Sequence, residues 1–100
     1  MEIIPLILSN EGERSFFEFR INDQRAFIEF QMFNQRIMLL LSSGMTKHLL
    51  NAEEVLHALI ERVLDHLRKS DCKVISYCPK INAFIKKNQR YGRVLQFNLN

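Results

Sequence analysis

The sequence predicts an α+β domain: a mostly antiparallel sheet and two helices in the order β-β-β-α-β-α-β. Three observations carry that reading. Apolar residues repeat every second position through residues 25–33, in a region rich in strand formers, and switch to helical spacing through residues 55–67. After that helix comes a short apolar run, Val74, Ile75 and Tyr77, and it ends at Cys78-Pro79. Proline is tolerated at the first helical position because its missing N–H would have no partner there anyway. Cys78-Pro79 therefore marks the end of a strand and the start of a second helix, with Ile81, Phe84 and Ile85 on one face.

The elements follow in order. Glu13 to Arg20 (ERSFFEFR) reads as a strand with aromatics on both faces, and Ile21-Asn22-Asp23-Gln24 supplies turn chemistry through its Asn and Asp side chains. Arg25 to Phe33 sets Ala26, Ile28, Phe30 and Met32 against Arg25, Phe27, Glu29 and Gln31, the pattern of a strand with one mainly apolar face. After a turn at Asn34-Gln35, Arg36 to Ser42 (RIMLLLS) reads as a strand buried on both sides. These three strands make an antiparallel meander. Ile3 to Leu8 can add an edge strand, Pro5 arguing against a central place. Val55, Leu56, Leu59, Ile60, Val63, Leu64 and Leu67 then form the apolar stripe of a long helix, with Asn51 as N-cap, Glu54 completing a capping-box variant, and Arg68 and Lys69 in the last turn. The final elements are a strand from Lys73 to Tyr77, a helix from Pro79 to about Asn88, and a strand near Arg93 to Asn98.

Composition bounds the function. One hundred residues make one domain, 1–100, and 47% hydrophobic with 25% charged residues is ordinary for a globular chain. The apolar run Ile37 to Leu41 is too short to span a bilayer, and MEIIPLILSN opens on an acid, which makes a poor signal peptide. Cys72 and Cys78 form neither a zinc pattern nor a disulfide framework, so no metal site is expected and a cytoplasmic setting is. The net charge of +3 hides a division: residues 1–61 carry five basic and nine acidic side chains, residues 62–100 nine basic and two acidic. A basic last third suits a polyanionic partner such as a phosphorylated cofactor or nucleic acid; a solvated basic face is the plainer account.

Few side chains point to chemistry. Cys78 sits at a helix N-terminus, where peptide dipoles favour a thiolate or a bound anion. A buried small hydrophobe at a strand end is the competing account. His57 and His66 lie nine residues apart on the long helix, about 180° around its axis, and cannot share a site; His48 alone lies in a candidate loop. Glu18 and Glu29 fall on neighbouring strands, where they face a substrate amine or, more simply, water. Tyr77 and Tyr91 offer phenols as general acids, or amphipathic packing.

The helix LIERVLDHLRKSDC, the strand KVISY, then Cys-Pro and the helix INAFIKKNQRY together resemble the small bacterial GNAT acetyltransferase-like domains. The meander SFFEFRINDQRAFIEFQ looks like that family's opening strands, so the resemblance covers about residues 13–95. It implies a GNAT-type fold binding acetyl-CoA in a cleft between splayed strands, with a small amine as second substrate. Pantetheine would lie along Leu39 to Ser43, including Leu41 and Ser42, and the pyrophosphate at the helix start near Asn51. Cys78 would border the acetyl end, Glu29 would deprotonate the amine, and Tyr91 would protonate the leaving thiolate. From charge alone, Lys86 and Lys87 could approach the cofactor phosphates.

One departure stands out. The family's phosphate loop is glycine-rich, whereas this chain has no glycine between Gly44 and Gly92, and Glu53 and Glu54 open the helix where a pyrophosphate would sit. Three functions therefore compete: an acyl-CoA-dependent N-acetyltransferase, a degenerate GNAT fold that binds a partner without chemistry, and a small basic nucleic-acid-binding domain using Lys80, Lys86, Lys87, Arg90 and Arg93. Tyr91 is the main stacking candidate for the third, which makes nucleic acid the weakest option.

Overall fold

The computed structural model describes residues 4–46 and 51–96. Five strands, β1 (Ile7–Glu11), β2 (Arg14–Ile21), β3 (Gln24–Met32), β4 (Ile37–Met45) and β5 (Lys73–Ser76), form one sheet in the order β1-β2-β3-β4-β5. Helix α1 (Ala52–Lys69) joins β4 to β5 and helix α2 (Pro79–Lys87) follows β5. The first three pairings are antiparallel and β4–β5 is parallel. A parallel pair needs a crossover connection, which α1 supplies.

Tight turns set the register of the meander. Gly12 (φ 62) and Asn22 (φ 56) take the left-handed conformation in the β1–β2 and β2–β3 turns, where Gly pays no Cβ penalty and Asn tolerates the strain. The resulting register gives the sheet two different faces. Phe17, Phe19, Ala26, Ile28, Met38, Leu40 and Val74 point to the helices and are buried with Leu56, Leu59, Ile60, Val63, Leu64 and Leu67 of α1 and Ile81 and Ile85 of α2. Each of these α1 positions falls on the stripe read from the sequence. No helix among the described residues is long and apolar enough to cross a membrane.

Four local features differ from the sequence reading. β1 starts at Ile7 rather than Ile3, beyond Pro5, which has no N–H to give a ladder. β4 runs to Met45, past the expected end at Ser42. Asn51 precedes α1 but sits in the left-handed region (φ 60, ψ 40) and makes no side-chain cap, because the capping geometry requires an extended backbone. The expected last strand, Arg93 to Asn98, loses its first two residues to a 3-10 helix, Gln89–Val94, which buries Tyr91 and Val94 three positions apart, a spacing that a strand would split between faces. A single parallel bridge, Val74 with Leu95, is what remains of that strand in residues 93–96; residues 97 and 98 lie outside the described residues.

Candidate functional site

The parallel strands part at one end. β4 and β5 are in register from Ile37 with Lys73 to Leu40 with Ser76, and the Tyr77 N–H donates to the Leu40 carbonyl at 2.9 Å. β4 then continues to Met45 beside β3, while β5 has given way to Cys78 and α2. At the point of parting the β3–β4 register slips: Phe30 faces Leu40, Glu29 faces Ser42, and Leu41 is the extra residue. A bulge of this kind bends its strand and increases the local twist, and bulges recur beside active sites. The second half of β4 therefore has no strand of the sheet beside it on that side and is followed there by the start of α2; this parting is the candidate cleft.

Ser42 and Ser43 point to opposite faces of the sheet beside this cleft. Ser43 lies on the helix side, its Oγ 3.2 Å from the Cys78 Sγ. Cys78 is the N-cap of α2 and is buried; its N–H donates to Ser76 Oγ at 3.3 Å and its carbonyl accepts from the Asn82 N–H at 3.0 Å. The Asn82 side chain donates through Nδ2 to the Ser76 carbonyl at 3.4 Å, and its Oδ1 is buried with no hydrogen-bond partner among the described residues. A buried acceptor left unpaired costs about 1–3 kcal/mol, so Asn82 is a residue with an unfilled task beside Cys78. Sequence reading passed over it as a polar helix position; its spacing of four from Cys78 was the available signal.

Ser42 faces the other way and donates to Glu29 Oε1 at 3.3 Å. Glu29 also takes two bonds from Arg14, Nε to Oε2 at 3.1 Å and Nη2 to Oε1 at 2.9 Å. The Arg14 hydrogen bond holds the Glu29 carboxyl below the usual carboxylate range, against a smaller opposing effect of burial. Glu18 shares that face but is held separately, by Arg20, Arg25 and Ser9.

Tyr91 does not join Cys78 and Ser43. Its side chain is fully buried against Phe84, and its hydroxyl donates to Asp65 Oδ1 at 3.1 Å and accepts from Arg90 Nη2 at 2.8 Å. Burial, with Asp65 adding to it, pushes the phenol up from its ordinary value. Asp65 stands in the latter half of α1, roughly 20 Å along the axis from its start at the rise per residue of an α-helix.

At the start of α1, Glu53 is paired with Lys80 Nζ at 2.8 Å, which lowers its carboxyl from the ordinary value. A groove of about 480 Å³ continues from this pair between the helices, lined by Glu53, His57, Glu61, Lys80, Phe84 and Lys87 among others. Lys86 is exposed on the same helix. Lys47 and His48 lie outside the described residues. Among the described residues no group of three or more His, Cys, Asp or Glu side chains could hold a metal.

A sequence model of the GCN5-related N-acetyl-transferase family matches residues 16–94. The chain belongs to the GCN5-related N-acetyltransferase family. That span runs from β2 through the 3-10 helix and contains the cleft, Cys78 and Asn82. The NMR solution structure of a GCN5-like protein from Staphylococcus aureus has a similar fold, with a TM-score of 0.64 and 19% identity over 95% of this chain and 91% of that one. No curated protein matches the chain. The GCN5-related fold is thus present here, with the five strands and the parting of β4 from β5 described above.

Proposed function

We propose that this GCN5-related domain is an acetyl-CoA-dependent N-acetyltransferase whose acyl site is the cleft between β4 and α2. The observation that carries the reading is the parting of β4 and β5 with Ser43 and Cys78 in contact beside it. When bound, acetyl-CoA supplies a thioester: an amine nitrogen bonds to its carbonyl carbon, the carbon–sulfur bond breaks, and the N–H proton ends on the departing sulfur.

The chain's own residues fit that cofactor at both ends. At the acyl end, the backbone of Leu41, Ser42 and Ser43 offers a strand that has outrun its β5 neighbour, and the unpaired Asn82 Oδ1 is an acceptor for an amide N–H of the pantetheine arm. Ser43 and Cys78 can hold a proton between Oγ and Sγ at the place where the sulfur departs. At the phosphate end, the first turn of α1 receives no side-chain cap from Asn51, so that side chain does not compete with an anion for the leading N–H groups. Lys80 offsets Glu53 there, and Lys87 lines the adjoining groove, with Lys86 beside it in sequence. Glu29, bound twice by Arg14, is a weak proton acceptor; its part is to fix Ser42. Tyr91 ties the 3-10 helix to α1.

Calorimetric titration with acetyl-CoA, with amide shifts mapped in parallel, tests the reading. Binding with shifts at Leu41 to Ser43, Cys78 and Asn82 is expected. No binding at millimolar acetyl-CoA overturns it. That outcome would favour a second reading, a degenerate fold that binds a partner without chemistry, for which Glu53 at the phosphate end, held there by Lys80, is the supporting feature.

A further inference from the structure

The sheet face opposite the helices is divided into two unlike halves. Over β2 and β3 it is closed by its own arginines. Phe16 is only 1% exposed, with the Arg14 and Arg25 guanidinium carbons 5.1 and 4.9 Å from its ring centroid and Phe27 edge-on at 5.6 Å. The carboxylates of this half are all in ion pairs: Glu29 with Arg14, Glu18 with Arg20 and Arg25, and Glu11 with Arg25. Over β4 and β5 the same face carries half-buried apolar side chains with no ion pair among them. The register places Met38 and Val74 toward the core, so their neighbours Ile37, Leu39 and Ile75 take the other face, followed by Tyr77, which is 63% exposed. This strip ends at the cleft, since Tyr77 adjoins Cys78 in sequence and its N–H is bonded to Leu40 where the strands part.

We propose that the strip of Leu39, Ile75 and Tyr77 is the acceptor side of the transferase site, and that it takes an amine with an apolar or aromatic, uncharged body. The proposal rests on the acetyltransferase reading above. Charge selects this class over its alternatives. A polyamine or a lysine-rich peptide keeps further ammonium groups that need anions, and the carboxylates on the β2–β3 side of the strip, Glu18 and Glu29, are committed to arginines. At the far end, roughly 13 Å from Tyr77 at the rise of a strand, Lys73, its Nζ donating to the Arg93 carbonyl, and Asp71 line one pocket with Ile37, so a second ammonium at that reach meets a carboxylate and a cation together, with no net anion. The apolar surface also serves the chemistry. Removing an ammonium from water favours its neutral form, which is the nucleophile, so the site does not need Glu29 as a base. The balance is that of one acetyl transfer: the amine nitrogen gains the acyl carbon, the thioester carbon–sulfur bond breaks, and the proton leaves with the coenzyme A thiol.

The test uses the full chain with acetyl-CoA and two acceptors, 2-phenylethylamine and spermidine, following thiol release, with amide shifts for each amine alone as an independent readout. The proposal expects kcat/KM for 2-phenylethylamine at least about tenfold above that for spermidine, the discrimination available from apolar contacts and an unmet charge. Tyr77→Ser, at an exposed position, should lower it by about tenfold with acetyl-CoA affinity unchanged. Spermidine as the better acceptor, or no effect of Tyr77→Ser, overturns the strip as acceptor site while the transferase reading stands. Shifts at Leu39, Ile75 and Tyr77 with 2-phenylethylamine, in a chain that binds no acetyl-CoA, would keep the strip as an amine site and remove the transferase. No such shifts and no acetyl-CoA binding would remove both.

Discussion

Glu18 is a fully buried carboxylate on the sheet face opposite the helices, and it is held there by charge. Burial alone would push its carboxyl up, but hydrogen bonds from Arg20, Arg25 and Ser9 outweigh that and hold it below its ordinary value. An alternating strand predicts a solvated glutamate at this position, because sequence shows the side chain's parity and not the arginines that fold over it. Removing the charge takes a partner from two guanidinium groups, and breaking a buried pair costs about 3–5 kcal/mol; Arg20 is largely in water and Arg25 keeps Glu11, so about 2–3 kcal/mol is expected for Glu18→Gln. The sign with pH follows from the lowered carboxyl. Its stabilisation is present above the unfolded value of about 4.3 and is lost as pH falls through the lower folded value. Urea midpoints of the two proteins should therefore converge as the solution is acidified. A gap that stays constant to strong acid would show that Glu18 does not act through its charge.

At the scale of elements, α2 is the piece on which the candidate site depends. Nine residues are too few for a stable isolated helix, so α2 is held by Ile81 and Ile85 against the core and by the proline at its start. Its apolar spacing and its Cys-Pro start were plain in the sequence. Other local facts were not. RIMLLLS is apolar at nearly every position, so no period revealed the bulge at Leu41, and an Asn that looks like an N-cap cannot announce a left-handed backbone. RVLQFN alternates like a strand, yet its first two residues belong to a 3-10 turn that buries Tyr91 and Val94 together. Ile81→Ala should cost about 2–5 kcal/mol, the range for deleting a buried aliphatic side chain. It should also loosen the start of α2, so that a thiol reagent, which reaches half-buried Cys72 first in the wild type, labels Cys78 much faster. Tyr91→Phe is the contrasting change. It removes one hydroxyl between Asp65 and Arg90, should cost about 1 kcal/mol, and should leave acetyl transfer unaltered; a large loss of turnover at equal stability would return Tyr91 to the chemistry.

Across the whole molecule, the decisive feature is a sheet that is continuous on one side of β4 and interrupted on the other. The order of elements made a crossover helix legible, and the pattern of Cys-Pro after a strand made the family legible. The resemblance implied a cleft between splayed strands, but its cause was not legible, because it lies in two strands of unequal length, β4 continuing to Met45 where β5 stops at Ser76. This asymmetry has a measurable consequence in amide exchange. Backbone groups along a strand point alternately to its two neighbours, so from Met38 to Leu40 every β4 amide meets either β3 or β5, while the Ile37 N–H donates to Asn34 Oδ1 in the turn. From Leu41 to Met45 the amides directed to β3 remain paired, whereas those directed away from it face the cleft. Exchange should therefore be slow through β2, β3 and the buried stripe of α1, slow from Met38 to Leu40, and alternately slow and fast from Leu41 to Met45. Acetyl-CoA should slow the fast subset and leave the slow subset unchanged, because a ligand in the cleft replaces the missing strand and not β3. Uniformly slow exchange up to Met45 without ligand would mean that the cleft is closed in solution and the acyl site lies elsewhere. Slowing confined to the start of α1 would place the cofactor phosphates there but deny the pantetheine arm its strand.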